Sequence, residues 1–305
     1  MKAVVTGGAG FIGRALVESL LDSGFDVLVV DSGDTGQLGE VPPSAELVER
    51  DIGGIEVTEW LDLMSGAEFV FHLAARKYNT PGVTPTEILD TNVAATWKIA
   101  EAAATARVKR LVFTSSLYAY GGLGPDAMQE SQVPLPTTLY GASKLMGEHM
   151  LRTLGKTSGL SWGCARLFFI YGPGQHAEGG YKSVIVSNFG RLNEGLAPII
   201  RGDGQQSLDY VYVSDAIAGL MALANAELNG ITVNISSGVP STIESLTGLM
   251  QQTAGTSLPP EYVDADWTQG TRRFGDPALA ANQLSWSAAV PLEAGLAQTW
   301  SSLTT

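Results

Sequence analysis

The chain holds a single cysteine, Cys164, which leaves no partner for an internal disulfide and no cysteine-rich metal centre. Its three histidines, His72, His149 and His176, are scattered without metal-ligand spacing, so no metal site is expected. Positive charge is scarce as well: 18 Lys and Arg stand against 31 Asp and Glu, a net charge of −13. This balance argues against nucleic acid and against anionic membrane surfaces, which both select basic patches. It leaves room for an anionic small molecule, because N–H groups at a helix N-terminus bind phosphate without a nearby cation. No apolar run reaches the length of a membrane span, and the first residues lack the charged and apolar regions of a signal peptide. The expected setting is the cytoplasm. What the chain does have is bulk: 305 residues, 45% of them hydrophobic, suffice for a full core and a smaller appended lobe.

Short apolar runs alternate with helical patterns through the first two-thirds. The runs Ala3–Val5, Val27–Val30, Phe69–Leu73, Leu111–Phe113 and Cys164–Ile170 are rich in Val and Phe. Between them, Phe11–Leu21, Val93–Ala106 and Tyr140–Leu154 repeat apolar residues at helical spacing. The alternation predicts an α/β fold, a doubly wound parallel sheet with helices on both faces. The last third is turn-rich, with helices predicted over Ser241–Ala254 and Leu292–Leu303.

The opening "VVTGGAGFIGRALVESLLDSGFDVLVVD" reads as strand, glycine loop, helix, strand and acid. Gly7 permits the tight turn, Gly10 lets the backbone approach a pyrophosphate, and Gly13 lets helix and strand pack closely. Asp31 ends the next strand 18 residues after Gly13. A carboxylate there accepts from ribose hydroxyls and repels a 2′-phosphate, and no arginine follows in "DSGDTG", so NAD is favoured over NADP. Asp51, after the third strand, is placed to accept from the adenine amino group and reads almost equally well as a surface-turn acid. Residues 1–172 and 206–238 are read as the NAD-binding Rossmann domain, and 173–205 and 239–305 as a substrate-binding lobe.

"YGASK" puts Tyr140 and Lys144 four residues apart on one helical face. An ammonium beside a phenol stabilises the phenolate and draws its pKa toward neutrality, which makes a usable general base. "TGGAGFIG", "HLAA" (72–75), Asn92, "YGASK" and "RLFFIYGPGQ" (166–175), in this order and spacing, resemble the extended short-chain dehydrogenase/reductases. The branch they are most similar to is the NAD-dependent nucleotide-sugar epimerase/dehydratase family, and the likeness continues into "GDGQQSLDYVYVSDA", "NISSG" and the C-terminal segment.

The resemblance implies roles. Tyr140 would be the base, Lys144 would hold the nicotinamide ribose, and Ser116, four residues before the tyrosine of "YG" (120–121), would polarise the substrate. Leu73, Ala74 and Ala75 would line the cofactor cleft, with Lys77 reaching cofactor or substrate and Pro173 passing near the nicotinamide. Phe11, Ile12, Ile52, Asn92 and Thr114 complete the expected cofactor contacts. Leu117, Tyr118, Phe169, Leu208 and Arg272 are expected beside the substrate. Relatives pack the helices corresponding to Val93–Ala106 and Tyr140–Leu154 into an intersubunit bundle, so a homodimer is expected.

In this family, 4,6-dehydratases carry Asp-Glu after the Ser/Thr, glucuronate-type decarboxylases a Glu, and mannose-type 3,5-epimerases a Cys in this loop. Here the residues are Leu117 and Tyr118, and leucine transfers no proton. What remains is a 4-epimerase of a sugar or nucleotide sugar, passing through a 4-keto intermediate. The alternative is an NAD-dependent dehydrogenase or reductase of a non-nucleotide sugar, a uronate or a small hydroxy compound. A non-catalytic cofactor sensor would have no need of both Tyr140 and Lys144. The alternative draws on two losses: members that grip a nucleotide diphosphate carry Asn and Arg where this chain has Phe169 and Leu208. A leucine removes a bidentate phosphate partner. Arg76, Lys77, Lys182, Arg191 and Arg201 are the cations available to compensate.

Overall fold

The computed structural model describes residues 1–34, 36–77, 82–122, 126–175, 183–266 and 268–304. In chain order the strands are β1 (Lys2–Thr6), β2 (Asp26–Asp31), β3 (Glu46–Glu49), β4 (Ala67–His72), β5 (Arg110–Ser116), β6 (Trp162–Leu167) and β7 (Phe169–Tyr171). They continue with β8 (Ile199–Arg201), β9 (Ser207–Tyr212), β10 (Ile231–Ile235), β11 (Pro240–Thr242), β12 (Glu261–Val263) and β13 (Arg272–Arg273). The helices are α1 (Phe11–Asp22), α2 (Val57–Leu63), α3 (Pro85–Leu89), α4 (Thr96–Thr105) and α5 (Leu139–Ser158). After them come α6 (Val184–Asn193), α7 (Val213–Asn225), α8 (Ile243–Thr253), α9 (Ala278–Leu284) and α10 (Leu292–Thr304). None of the described helices is long and apolar enough to cross a membrane.

Seven strands form one parallel sheet in the order β10-β6-β5-β4-β1-β2-β3. Its strands are apolar at successive positions because both faces are covered. Ala3, Val5, Val27, Val29, Phe69 and Phe71 enter one core cluster. Their neighbours Val4, Leu28, Val30 and Val70 enter the other. The chain runs outward from β1 to β3, then resumes at β4 on the other side of β1. Loops diverge at that switch point and leave a crevice beyond the carboxyl ends of the strands.

Two expected elements differ in detail. The run Cys164–Ile170 breaks at Phe168: β6 stays in the large sheet, and β7 pairs in parallel with β9 of a small second sheet. The helix expected to begin at Val93 is entered through α3 and a π-helical turn, Asp90–Ala95. There Thr96 Oγ1 donates to the Asn92 carbonyl at 2.8 Å, a side-chain bond competing with the regular ladder.

Helix α5 is fixed to the sheet by buried charge. Glu148 accepts two hydrogen bonds from Arg166 of β6, at 2.9 and 2.7 Å, and one from Ser115 Oγ of β5 at 2.5 Å. The Arg166 guanidinium also lies 4.4 Å from the Tyr120 ring centroid. Removing one member of such a pair strands the other charge away from water. Glu148→Ala is expected to lower the unfolding free energy by about 3–5 kcal/mol, read by urea denaturation, with Glu148→Gln less costly. A loss below about 1 kcal/mol, the scale of a surface pair, would show that the pair does not hold α5.

Candidate active site

The glycine loop forms the entrance to the crevice. Gly7 has φ +75°, and a Cβ there would stand 2.6 Å from the Ala74 nitrogen. A Cβ on Gly13 would stand 2.0 Å from the Gly7 carbonyl oxygen, so only glycine lets α1 start this close to β1. Gly10 caps α1 with extended backbone, and the N–H groups of the first helical turn have no carbonyl one turn back. Asp31 at the end of β2 accepts from the backbone N–H of Ala9 at 3.0 Å and of Gly33 at 2.9 Å.

A cleft of about 430 Å³ runs from this loop across the switch point to the small lobe. Gly7, Gly10, Phe11, Ile12, Gly13, Asp31, Asp51 and Ile52 line its first half. Leu73, Ala74, Ala75, Lys77 and Thr114 continue the wall, and Ser116, Leu117, Tyr118, Tyr140 and Lys144 stand beyond them. Phe169 and Leu208 face the far half. Nearly every residue singled out from the sequence is brought to this one surface.

Three are not among the lining residues. Asn92 stands behind the wall, accepting from the Arg76 N–H and donating to the Arg76 carbonyl and to Ser143 Oγ. Pro173 precedes Gly174, whose carbonyl accepts from Arg14 at 2.8 Å. Arg272 stacks on Phe274, 4.6 Å from the ring centroid. Its neighbour Arg273, on the opposite side of β13, lies 5.6 Å from the Tyr118 ring centroid. Strand alternation decides which arginine of "TRR" turns toward Tyr118, and the sequence alone does not supply that parity. Of the cations named as alternatives, Lys182 lies outside the described residues, as does His176. Arg191 is engaged by Glu261 and the Ala197 carbonyl, and Arg201 sits on β8.

Helix α5 begins at Thr138, whose Oγ1 accepts from the Gly141 N–H at 3.0 Å. That cap aims the first turn, with Tyr140, at the end of β5. Tyr140 lines the cleft together with Ser116 and meets Tyr118 edge-on at 6.0 Å between centroids. Lys144, one turn on, donates to the Thr114 carbonyl at 2.8 Å and lies 4.8 Å from the Phe113 ring centroid and 5.8 Å from that of Tyr140.

Burial governs both groups. It lowers Lys144 to a pKa of about 7, and the charge of Lys77 adds to the effect. It pushes the Tyr140 phenol up to about 12 against the opposing hydrogen bond from Ser116. Desolvation therefore raises the phenol in the protein alone, opposite to the lowering expected from Lys144. His72 stays neutral, because burial, then the charge of Lys144, takes its pKa down to about 3. Its ring instead joins Thr6 Oγ1 at 2.7 Å and Thr96 Oγ1 at 2.8 Å.

The model of the NAD-dependent epimerase/dehydratase family matches residues 3–236. The chain belongs to that family. It is an enzyme, and NAD is its cofactor. The chain is 30% identical to a UDP-glucose 4-epimerase of Mycolicibacterium smegmatis over 98% of its length and 97% of the relative's. The solved UDP-glucose 4-epimerase of Thermotoga maritima with UDP-glucose is 28% identical, with a TM-score of 0.91 over 100% of this chain and 99% of that one. A UDP-glucuronic acid 4-epimerase of Bacillus cereus, in complex with UDP-glucuronic acid and NAD, is 25% identical, with a TM-score of 0.88 over 100% and 99% of the two chains. The residues present fit a dinucleotide: the glycine turn leaves backbone, with no side chain, at the entrance to the cleft, and the Asp31 carboxylate lines the wall beside it.

The depressed pKa of Lys144 has a consequence for stability. Between about pH 7 and the ordinary lysine value of 10.5, the unfolded chain binds a proton that the folded one does not. Stability of the cofactor-free enzyme should therefore rise with pH across that window, and the full cost of the buried charge stands below it. Lys144→Met is expected to raise Tm more at pH 6 than at pH 9, read by scanning calorimetry. An equal gain at both would show that Lys144 is not held against its charge.

Proposed function

We propose that this enzyme is an NAD-dependent 4-epimerase of a nucleotide sugar, with Tyr140 as its base. The observation that carries the reading is the convergence of Ser116, Tyr140 and Lys144 on one wall of the cleft, followed by Leu117 where an auxiliary acid would be needed for dehydration or decarboxylation. The names of the similar epimerases support a UDP-linked substrate. We assign residues 1–172 and 206–238 to the cofactor side and 173–205 and 239–305 to the substrate side.

Bound NAD supplies oxidation and re-reduction at the sugar C4. The chain supplies the rest. Tyr140 Oη accepts the proton of the C4 hydroxyl and later returns it. Ser116 Oγ hydrogen-bonds the same oxygen and holds it in line. Lys144, fixed by the Thr114 carbonyl, keeps a cation beside the ribose position and the phenol. A phenol raised by burial needs that cation when it deprotonates. Leu117 contributes no proton, so elimination at a neighbouring carbon is left without a catalyst.

A second reading has its own observation. Phe169 and Leu208 present apolar surface in the far half of the cleft, where a diphosphate would want donors. It makes the substrate a non-nucleotide sugar, a uronate or a small hydroxy compound that is oxidised outright. The two separate in one assay. A 4-epimerase interconverts C4 epimers of UDP-glucose, UDP-glucuronate or their N-acetyl forms with no net change at 340 nm, the NADH absorbance band. A dehydrogenase forms NADH in step with product. Tyr140→Phe is expected to lower kcat by about 10²–10⁴-fold, the range for losing a general base. Turnover within threefold of the wild type would remove Tyr140 from that role.

A further inference from the structure

The adenosine end of the cleft carries an arginine that none of the motifs assigns. Arg76 follows β4, and its backbone is held on both sides, with its N–H donating to Asn92 Oδ1 at 2.8 Å and its carbonyl accepting from Asn92 Nδ2 at 2.9 Å. Its Nε donates to Thr91 Oγ1 at 3.2 Å, which sets the plane of the guanidinium. The Nη2 then reaches two carboxylates at once, Asp34 Oδ2 at 2.6 Å and Asp51 Oδ2 at 3.0 Å. Asp34 lies on the loop after β2 and Asp51 on the loop after β3, so a single side chain joins three loops around the switch point.

Electrostatics gives the junction a task. Asp31, Asp34 and Asp51 all line this end of the cleft. Arg50, the neighbouring cation, is engaged by Glu59 at 3.0 Å. The carboxylates would repel one another and the pyrophosphate of the cofactor unless a cation sits among them. A planar guanidinium with its Nε already fixed can donate to both acids without losing further side-chain freedom.

We propose that Arg76 is a positioning residue that ties the loops bearing Asp34 and Asp51 together over the adenosine portion of NAD and slows its loss. The inference rests on NAD occupying this cleft and requires nothing of the sugar substrate. It makes the adenosine end a latch, separate from the proton transfer at Tyr140. Because the acids are half exposed, the latch is sensitive to salt.

The test measures release of NAD from the purified holoenzyme, by dilution into a trap of excess labelled NAD and analysis of what remains bound. Arg76→Met, which keeps the aliphatic stem, is expected to release NAD roughly tenfold faster, the order of two charge-assisted hydrogen bonds. Its activity should fall on dilution and recover when NAD is added, a shift in the NAD requirement. Raising salt to 0.5 M should speed release from the wild type more than from the variant. Asp34→Asn removes one leg of the junction at an exposed position and should move release in the same direction by less. It also carries the test if Arg76→Met does not fold. Release rates unchanged in the folded variants would overturn the proposal, as would a loss of activity that added NAD does not restore. An enzyme that latches NAD in this way yet epimerises no sugar would refute the functional reading and leave this one standing.

Discussion

The catalytic half of the molecule depends on keeping the Lys144 amine out of water. A buried ammonium is expensive unless other groups replace its hydration. Here the replacements are few: the Thr114 carbonyl, the face of Phe113 and the neighbouring Tyr140 ring. Thr114 and Phe113 belong to β5, an interior strand of the sheet, and Tyr140 to the same helix as Lys144. Anything that shifts α5 along β5 removes the first two together and leaves only the Tyr140 ring. The Glu148–Arg166 pair lies one helical turn beyond Lys144 and bonds Ser115, so the buried charges of α5 are anchored to successive residues of one strand. The register of helix against strand is thus set by electrostatics as much as by apolar packing, and it delivers Ser116 opposite Tyr140.

A net charge of −13 looks unfavourable for holding a dinucleotide. The structure resolves this by making the pyrophosphate position from backbone. Only glycine can occupy positions 7 and 13, since a Cβ at either would meet main-chain atoms. The helix N-terminus then presents N–H groups whose partial charges are independent of side-chain composition. Two of the cationic side chains are matched to acids, Arg76 at the cleft wall to Asp34 and Asp51 and Arg166 behind it to Glu148. The far half of the cleft has Phe169 and Leu208 on its wall.

The parallel sheet with helices on both faces, the glycine turn, the place of Asp31 at a strand end and the Tyr140–Lys144 spacing on one helix were legible because each depends on local sequence spacing. Periods of two and 3.6 residues, and a fixed distance from glycine to acid, survive any tertiary arrangement. Other features were not legible, because they depend on contacts between distant segments. Nothing in "TRR" tells which arginine faces Tyr118 until β13 is paired with β9. Nothing in "HLAAR" tells that Arg76 meets carboxylates 42 and 25 residues away. The break at Phe168 is similar: the run is apolar on both sides of it, and only the pairing of β7 with β9 separates β7 from β6. The expected lowering of the Tyr140 pKa fell short for the same reason, since spacing places the ammonium but burial depends on the whole core.

The two ends of the cleft are also joined through protein. Asn92 sits where a π-helical turn widens the helix, and its side chain spans from the Arg76 backbone to Ser143 Oγ at 3.0 Å. Ser143 in turn donates to the Tyr140 carbonyl at 2.8 Å. A regular α-helix would carry Asn92 about a residue's rotation away, so the extra residue in the turn has a structural purpose. It places one amide between the loop that meets the adenosine end and the first turn of the helix that bears the phenol. The acids, Arg76, Asn92, Ser143 and Tyr140 form a single hydrogen-bonded path with every step buried or half-buried except the first. The path joins the Arg76 backbone to the first turn of α5 through the side chains of Asn92 and Ser143, so this part of the cleft wall and the start of that helix are built against each other.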